Sequence, residues 1–352
     1  MAMEFYILNA SLEIIGLIDT YKSAIWTGRY YTSGDFELYV PATDKNMALL
    51  QKDNFVVRVD DTTKAAIIQR VGISTDAEEG DYITASGKSL KNILSRRIMW
   101  KQTRYTGYLE KILRQMIKDN FINADMSARN MSQLELGDEI GLAYTMQKQM
   151  TGDNIETALT EICQSYGIGF DVLFDLENRK FKFVLLNGVD RSYNQNVNPF
   201  VVFSPDYDNI ISSDYANDKA KFKNTAQVAG EGQGVDRVKI AVGNNYAGMN
   251  RYELFVDARN QSSNSGELSA SEYNAILQNV GVEKLAEAAI TESVDSEVAA
   301  NSTYKLNVDY FLGDIVEIIN EYGIAMTPRV TEVIEAQDDT GYSCIPKFTT
   351  ED

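Results

Sequence analysis

The sequence predicts a mainly β protein with α+β elements: two related antiparallel β-barrel domains, an α+β middle domain and a helical insertion. Three observations lead to this prediction. Short β-branched and aromatic runs fill the first hundred residues, helical spacing of apolar residues begins after Lys88, and a strand pattern near the start of the chain returns near its end. Many short strands at close spacing are typical of an antiparallel barrel or sandwich.

The first β-barrel domain is predicted over residues 1–97. Turn residues such as Asn9, Ser33-Gly34 and Asp60-Asp61 separate its apolar runs, and one short helix is predicted over Asp44–Gln51. The predicted strands are EFYIL, LEIIGLI, AIWTGRYY, DFELYV, FVVRV, AAIIQRVGI and YITAS.

The middle domain is predicted over residues 98–205 as an α+β unit. Apolar residues at helical spacing predict helices around Leu90–Arg97 and Leu109–Ile117. A third helix has Asp153 as its expected N-cap and Glu156 three residues later, as in a capping box, and Gly167 ends it. The strands IGFDVLFD and KFKFVLL follow, joined by a polar turn over 176–179.

The second β-barrel domain is predicted over residues 206–352, with the helical insertion at about 260–297. The runs NIISSDY, FKNTAQVAG, VDRVKIAVG and RYELFVDA predict four strands. Ser269 and Glu272 form a capping-box pattern, which begins a helix expected to run to about Ser293.

The repeated pattern starts at Asp53 in the first copy and at Gly313 in the second. It aligns the pair Arg70-Val71 with Arg329-Val330, and Gly80-Asp81-Tyr82 with Gly341-Tyr342. Alternation and turn chemistry are generic, so two unrelated hairpins could also look alike. If the pattern reflects a duplication, the two terminal β-modules should share one topology.

The charge and residue composition narrow the possible functions. The chain of 352 residues carries a net charge of −18, which disfavours binding to phosphate backbones or anionic lipid heads. It contains no histidine, which removes Ser-His-Asp and Cys-His catalysis and histidine metal ligands. Its two cysteines, Cys163 and Cys344, show no metal-binding spacing, and a single bridge between them is not expected.

Several motifs could carry chemistry, but each has a simpler structural explanation. The glycine-rich segment Gly230–Gly234 resembles a phosphate loop, yet a strand follows it, so a hairpin turn is expected. Cys163 has no histidine to activate it, and packing in the core is expected. We predict no catalytic, cofactor-binding or metal-binding residue and no cofactor. The acidic residues that could bind Ca²⁺ are Asp206, Asp208, Asp214 and Asp218, in a segment without EF-hand spacing, where a solvated loop is expected.

The chain is expected to be made in the cytoplasm of its host. Its N-terminus lacks a basic region and is interrupted by Glu4 and Glu13, unlike a signal peptide. No apolar run approaches the roughly twenty residues of a membrane helix.

Segments at both ends resemble the tail-tip hub (tail-associated) proteins of siphophages. GDFELYVP at Gly34–Pro41, AAIIQRV at Ala65–Val71 and SGKSLKNILSRRI at Ser86–Ile98 are similar to the family's N-terminal module. The segment Asp309–Tyr342 is similar to its closing module. The family is similar in fold to the baseplate hub of contractile phage tails and to the hub part of type VI secretion spikes.

The resemblance implies a structural, non-enzymatic protein of the virion tail tip. It implies a homotrimer with two β-barrels per chain, so that six barrels adapt a sixfold tail tube to a threefold tip. The implied partners are the distal tail protein ring, the tape measure, and tail-tip, fibre or spike proteins, with no specific nucleic-acid binding and no membrane insertion. We expect the middle domain and the insertion outside the ring, and a net acidic inner wall past which DNA slides.

Two other functions remain open at this stage. The chain could be a tail-associated cell-wall hydrolase that uses paired carboxylates, although 51 acidic residues make some such pair unavoidable. It ends soon after the second β-copy, which argues against an appended lytic domain. Its 20 tyrosines and 14 phenylalanines could instead form a glycan-binding surface, but strand and interface positions are commoner for aromatics.

Overall fold

The computed structural model describes residues 3–78, 80–263, 266–298 and 304–350, with the backbone alone for 211–214 and 291–298. All seven strands predicted in the first ninety residues are present, and the predicted short helix is α1 (Asp44–Leu49). The strands are β1 (Phe5–Leu8), β2 (Ile14–Ile18), β3 (Ser23–Arg29), β4 (Asp35–Pro41), β5 (Phe55–Arg58), β6 (Ala65–Asp76) and β7 (Gly80–Ser89).

The middle region mixes helices and strands, as predicted. The segment Leu90–Arg96 is a 3-10 helix, so the predicted α-helix there is wrong in type. The third helix is capped by Asn154 and not by Asp153, because the Asn154 side chain accepts from the amides of Glu156 and Thr157. The elements are β8 (Thr103–Tyr108), α2 (Leu109–Ile117), β9 (Leu134–Leu136), β10 (Thr145–Met150), α3 (Ile155–Ser165), β11 (Gly169–Asp175) and β12 (Lys180–Leu186).

The last third of the chain contains one long helix among strands. The capping box of Ser269 and Glu272 is confirmed, but the helix ends at Ala286, short of the predicted Ser293. The elements are β13 (Val202–Phe203), β14 (Ile210–Asp218), β15 (Thr225–Ala229), β16 (Lys239–Val242), β17 (Glu253–Asp257), α4 (Ala270–Ala286), β18 (Thr291–Val298), β19 (Glu317–Ile319), β20 (Ala325–Met326), β21 (Arg329–Asp338) and β22 (Gly341–Thr350).

One sheet of eleven strands runs through both ends of the chain, in the order β14-β18-β22-β21-β3-β4-β7-β6-β5-β1-β2. The mainly β prediction is therefore confirmed. The described strands do not close into hydrogen-bonded barrels: β21 pairs with β3, which merges the two predicted barrels into a single open sheet. The smaller sheets are β8-β10, β9-β12-β11, β13-β19-β20 and β16-β15-β17.

The large sheet curls around an apolar core. Phe5, Trp26, Phe36 and Ile83 are buried together on one face of the first seven strands. The strands β5 and β21 lie five positions apart in the sheet, about 24 Å in a flat one. The side chains of Arg58 on β5 and Glu335 on β21 nevertheless form an ion pair, so the sheet bends until these strands face each other.

The segment between β14 and β18 forms a compact unit of its own. The strands β15, β16 and β17 pair only with one another, and α4 packs on them through Ile276 and Leu277. Sequence analysis assigned these strands to the second barrel. The strands on either side of this segment, β14 and β18, pair with each other in the large sheet, and β18 also pairs with β22.

Candidate assembly interface

Two groups of four strands repeat within the large sheet. We call β3, β4, β7 and β6 quartet A, and β14, β18, β22 and β21 quartet B; both are given in their order of pairing. All neighbours in both quartets are antiparallel. Because β21 pairs with β3, quartet B is followed by quartet A in the same orientation. The chain thus contains a head-to-tail repeat of one four-stranded unit.

The two hairpins within the quartets share a β-bulge at the same position. In β6 the register shifts at Gln69, seven residues before Asp76, which pairs with Gly80. In β21 it shifts at Thr331, seven residues before Asp338, which pairs with Gly341. The predicted correspondence of Gly80 with Gly341 is confirmed by this register.

The predicted alignment of the two Arg-Val pairs is wrong. When the hairpin ends and the bulges are superimposed, Arg329 corresponds to Ile67 and not to Arg70. Arg70 corresponds instead to Glu332, since each is the first paired residue after its bulge. A recurring residue pair was a poorer guide than the hairpin geometry, because strand register is fixed by turn and bulge positions.

The seam between the quartets is held by seven paired positions, from Glu332 opposite Arg29 to Asp338 opposite Ser23. On the face of the sheet that lies opposite the core, the side chains form a ladder of alternating charge across five strands. Arg29 contacts both Glu332 and Asp35, Lys88 contacts Asp35, and Lys347 lies 3.9 Å from Glu332. The ladder connects β7, β4, β3, β21 and β22, and therefore both quartets.

A buried ion pair lies on the core side of the same seam. The Arg58 guanidinium contacts the carboxylates of Glu335 and Asp60, and Lys64 lies 3.6 Å from Glu335. Burial acts to raise the pKa of Glu335, but the charges of Lys64 and Arg58 outweigh it and hold that pKa below the ordinary value. The pKa of Arg58 is raised, because its hydrogen bonds to carboxylates outweigh the effect of burial. These groups stay charged and fasten β5 to β21.

Tyr30 joins the first strands to the middle region and to the second module. Its ring is fully buried, and its hydroxyl donates to the Leu186 carbonyl at 2.9 Å and accepts from the Gly188 amide at 3.1 Å. The guanidinium carbon of Arg329 lies 5.4 Å from the ring centroid. Gly188 is needed at this junction because a Cβ there would lie 1.7 Å from the Gly313 carbonyl oxygen. The three regions consequently form one packed body.

The insertion docks on the middle region through α4. Lys148 on β10 forms a buried ion pair with Glu283, and Lys284 lies 3.2 Å from Glu161 on α3. Arg104 lies 3.3 Å from Glu272 in the first turn of α4. Burial raises the pKa of Glu283 and the Lys148 charge opposes that shift. The insertion is thus fixed on the middle region, and Ala286 at the end of α4 lines a cavity together with Arg29 and Glu332 of the large sheet.

The motifs weighed as chemical sites have structural roles. Gly230–Gly234 lies between the antiparallel strands β15 and β16, so the predicted hairpin turn is confirmed. Burial raises the pKa of the Cys163 thiol to about 12, which fits the predicted core position. Asp206 lies in a short 3-10 helix (Pro205–Tyr207) that Asp208 caps. Asp214 and Asp218 belong to β14 and not to the expected loop; the side chain of Asp214 lies outside the described residues.

The described residues also bear on metals and membranes. They contain no group of three or more Asp, Glu or Cys side chains that could hold a metal ion. In this part of the chain, no helix combines the length and apolarity needed to cross a bilayer.

Comparisons with known structures agree with this architecture. A tail protein from Neisseria meningitidis MC58 matches with a TM-score of 0.60 and 13% identity, over 99% of this chain and 97% of that one. The 43 kDa tail protein of prophage MuSo2 from Shewanella oneidensis matches with a TM-score of 0.61 and 12% identity, over 98% of each chain. The prophage tail protein gp18 from Listeria monocytogenes matches with a TM-score of 0.57 and 12% identity, over 99% of this chain and 94% of that one.

At these identities the three structures show a shared fold. No curated protein sequence matches the chain. The model of a siphovirus tail protein family, described as Siphovirus ReqiPepy6 Gp37-like protein, matches residues 4–348, nearly the whole chain. The resemblance to siphophage tail proteins is thereby confirmed, and the chain belongs to the siphovirus ReqiPepy6 Gp37-like family.

Proposed function

We propose that this protein is a structural hub subunit of the tip of a phage tail or a tail-like particle. Three copies form a ring, and the two quartets of each chain give six repeats around its axis. Such a ring presents sixfold repetition to the tail tube and threefold symmetry to the tip. The observation that carries the proposal is the head-to-tail order of quartets B and A in one sheet.

The proposed domains follow from this arrangement. Residues 1–97 and 206–352 supply the two hub modules, and the middle region 98–205 packs against the first module around Tyr30 and Phe55. The insertion, which we place at about 219–290, and the middle region lie outside the ring. The two dock on each other through α4.

The face of the large sheet that carries the charge ladder is the proposed wall of the channel. Alternation along β3, β4, β6, β7, β21 and β22 places both signs of charge on it. Its acidic side chains are Asp35, Glu37, Asp76, Glu332 and Asp338, and its basic ones are Arg29, Arg70, Lys88 and Lys347. Ion pairs already engage Arg29, Lys88 and Lys347, so few of these cations are available to phosphates. DNA would therefore pass along such a wall without adhering. The net acidic channel wall expected from the sequence would have the same property.

The proposed location is the virion, at the tail tip, after synthesis in the cytoplasm of the bacterial host. The proposed partners are the distal tail protein ring on one side, the tape measure in the channel, and tip, fibre or spike proteins on the other. We propose no enzymatic activity. Carboxylates with lowered pKa values serve structural contacts: the pKa of Asp257, about 2, is lowered by its hydrogen bonds to Arg259 and Arg237.

Labelling of intact particles tests this function. Antibodies to the insertion, detected by gold in electron micrographs, should mark the tail end that lies away from the head. Labelling along the tail shaft or on the head, or absence of the chain from purified particles, would contradict the proposal. The hydrolase alternative is tested separately by zymography on peptidoglycan, where we expect no clearing.

A further inference from the structure

The order of quartets B and A in one sheet points to a contact between chains. We propose that residues Arg70–Asp76 of β6 pair with β14 of a second copy of this chain, in the register that β21 and β3 use within the chain. This inference rests on the proposed function, because it names the contact by which copies of the subunit join.

The order of the strands supports it. In the sheet, β21 ends quartet B and pairs with β3, which begins quartet A. The strand that corresponds to β21 in quartet A is β6, and the strand that corresponds to β3 in quartet B is β14. Repeating the internal contact therefore joins β6 of one copy to β14 of the next. Contacts of this head-to-tail kind generate rings when the rotation closes.

Both strands have the free edge that this pairing requires. The strand β14 ends the eleven-stranded sheet. On β6, the neighbouring strand β5 covers only Ala65–Ile67, and beyond the bulge β6 pairs with β7 alone. The open part of β6 begins at Arg70, which corresponds to Glu332, the first residue of the internal seam. The strand directions also agree: the eight strands from β14 to β6 are joined by seven antiparallel pairings, so β6 runs antiparallel to the β14 of a next copy in the same orientation.

The internal register specifies the residue pairs. Trp26 on β3 pairs with Phe36 on β4, and Tyr215 on β14 pairs with Val294 on β18. Phe36 and Val294 occupy equivalent positions in the two quartets, so Tyr215 corresponds to Trp26. Carrying the register of the β21–β3 seam over to β6 and β14 places Arg70 opposite Asp218, Gly72 opposite Ala216 and Ile73 opposite Tyr215.

The side chains at these positions are complementary. The internal seam opposes Glu332 and Arg29, whereas the proposed seam opposes Arg70 and Asp218, which keeps an ion pair with the signs exchanged. Within the described residues, neither Arg70 nor Asp218 has an ion-pair partner, although Asp218 accepts from the Ala220 amide. Ile73 is 58% exposed in the single chain and would gain an aromatic neighbour.

Disulfide trapping between two differently tagged single variants tests the pairing. Directly opposed residues of antiparallel strands have Cα separations of about 4.5–5.5 Å, within the range for a disulfide. Gly72→Cys is a suitable site because a Cβ there meets no atom within 4 Å. Mixing Gly72→Cys with Ala216→Cys under mild oxidation should give a disulfide-linked heterodimer, and neither variant alone should be linked.

Two controls separate this register from chance contact. Gly72→Cys mixed with Asn217→Cys should give at least tenfold less product, since a shift of one residue turns the side chain to the other face. Arg70→Glu should reduce trapping in the Gly72→Cys variant, and Asp218→Arg in its partner should restore it. Circular dichroism and thermal unfolding of each variant show that the chain is folded.

The outcomes distinguish this inference from the proposed function. Heterodimer formation with rescue by the charge exchange supports the seam. Equal trapping at Asn217, failure of the exchange to rescue, or no trapping at protein concentrations up to about 1 mM would overturn it. Gold labelling at the tail tip together with any of those results would leave the hub function standing and refute only this contact.

Discussion

The pair of Arg58 and Glu335 offers a quantitative test of how the sheet is closed. Both side chains are almost completely buried, at 4% and 8% exposure, and they join strands at opposite ends of the curl. Replacing Arg58 by Met leaves Glu335 with Lys64 at 3.6 Å and the Tyr342 hydroxyl at 3.0 Å. Removing one partner of a buried ion pair costs about 3–5 kcal/mol, so R58M should lower the free energy of unfolding by that amount at pH 7.

The effect should depend on pH in a defined direction. The pKa of Glu335 in the folded protein lies below its ordinary value of 4.5. Such a group contributes stability above that ordinary value, and the contribution disappears as the pH falls through the folded-state pKa. In R58M the carboxyl can take up a proton at low pH. The difference between wild type and variant should therefore be full at pH 7 and shrink as the pH falls below about 4.5.

Urea unfolding followed by tryptophan fluorescence measures this difference. Trp26 is a suitable probe because it is buried and lies directly opposite Glu335 in the seam. The matched control is K22M: Lys22 precedes β3 and pairs at 3.0 Å with Asp339, which follows β21, but both side chains are more than half exposed. K22M should cost less than about 1 kcal/mol. A cost of R58M no greater than that of K22M, or one independent of pH, would refute the reasoning.

Three further predictions concern single positions. G188A should abolish soluble expression or lower the free energy of unfolding by more than about 3 kcal/mol, because the added Cβ would overlap the Gly313 carbonyl. G72A should express normally, because the space around that position is open. N154A should lower the free energy of unfolding by about 1 kcal/mol and D153A by less, because Asn154 caps α3. A larger loss for D153A in urea titrations would show that Asp153 is the N-cap, as the sequence predicts. The thiol of Cys344 should alkylate at pH 8 much more slowly than a free cysteine, because burial raises its pKa to about 11; rapid modification by iodoacetamide, read by mass spectrometry, would contradict this raised pKa.

The strands of the first module could be predicted from the sequence because each is a short apolar run between strong turn residues. The helix α3 was also predictable, since its apolar stripe and the final Gly167 are local signals. The long hairpin β21–β22 could be recognised as an echo of β6–β7 for the same reason. These features depend on neighbouring residues and need no knowledge of distant contacts.

The parts that the sequence did not predict depend on contacts between distant residues. The strands β8, β9 and β10 are short and polar, and they exist because they pair across the middle region. The sequence predicts a helix to about Ser293, whereas β18 begins at Thr291 and pairs with β14 and β22, each more than 40 residues away along the chain. No local pattern marks the seam of β3 and β21, which joins residues some 300 positions apart.

Sequence analysis identified no functional residue, because the pairing of strand edges in the seam has no local sequence signal. The internal seam consists of backbone edges and of charges whose partners lie in a distant strand. Arg70 was noticed only as half of a repeated Arg-Val pair. Its correspondence to Glu332 became visible only when the bulges fixed the register. A search of the sequence for charge-reversed pairs at equivalent hairpin positions could have found it.

The central claim is that two equivalent quartets in each chain build a hub ring at a phage tail tip. Cryo-electron microscopy of intact particles, with the tail tip reconstructed without imposed symmetry, tests this most directly. The account predicts three copies of this chain around the tail axis, with six quartets forming one continuous sheet around the channel and the insertions on the outside. A tip in which this chain is absent, has other than three copies, or turns its large sheet away from the channel would contradict it.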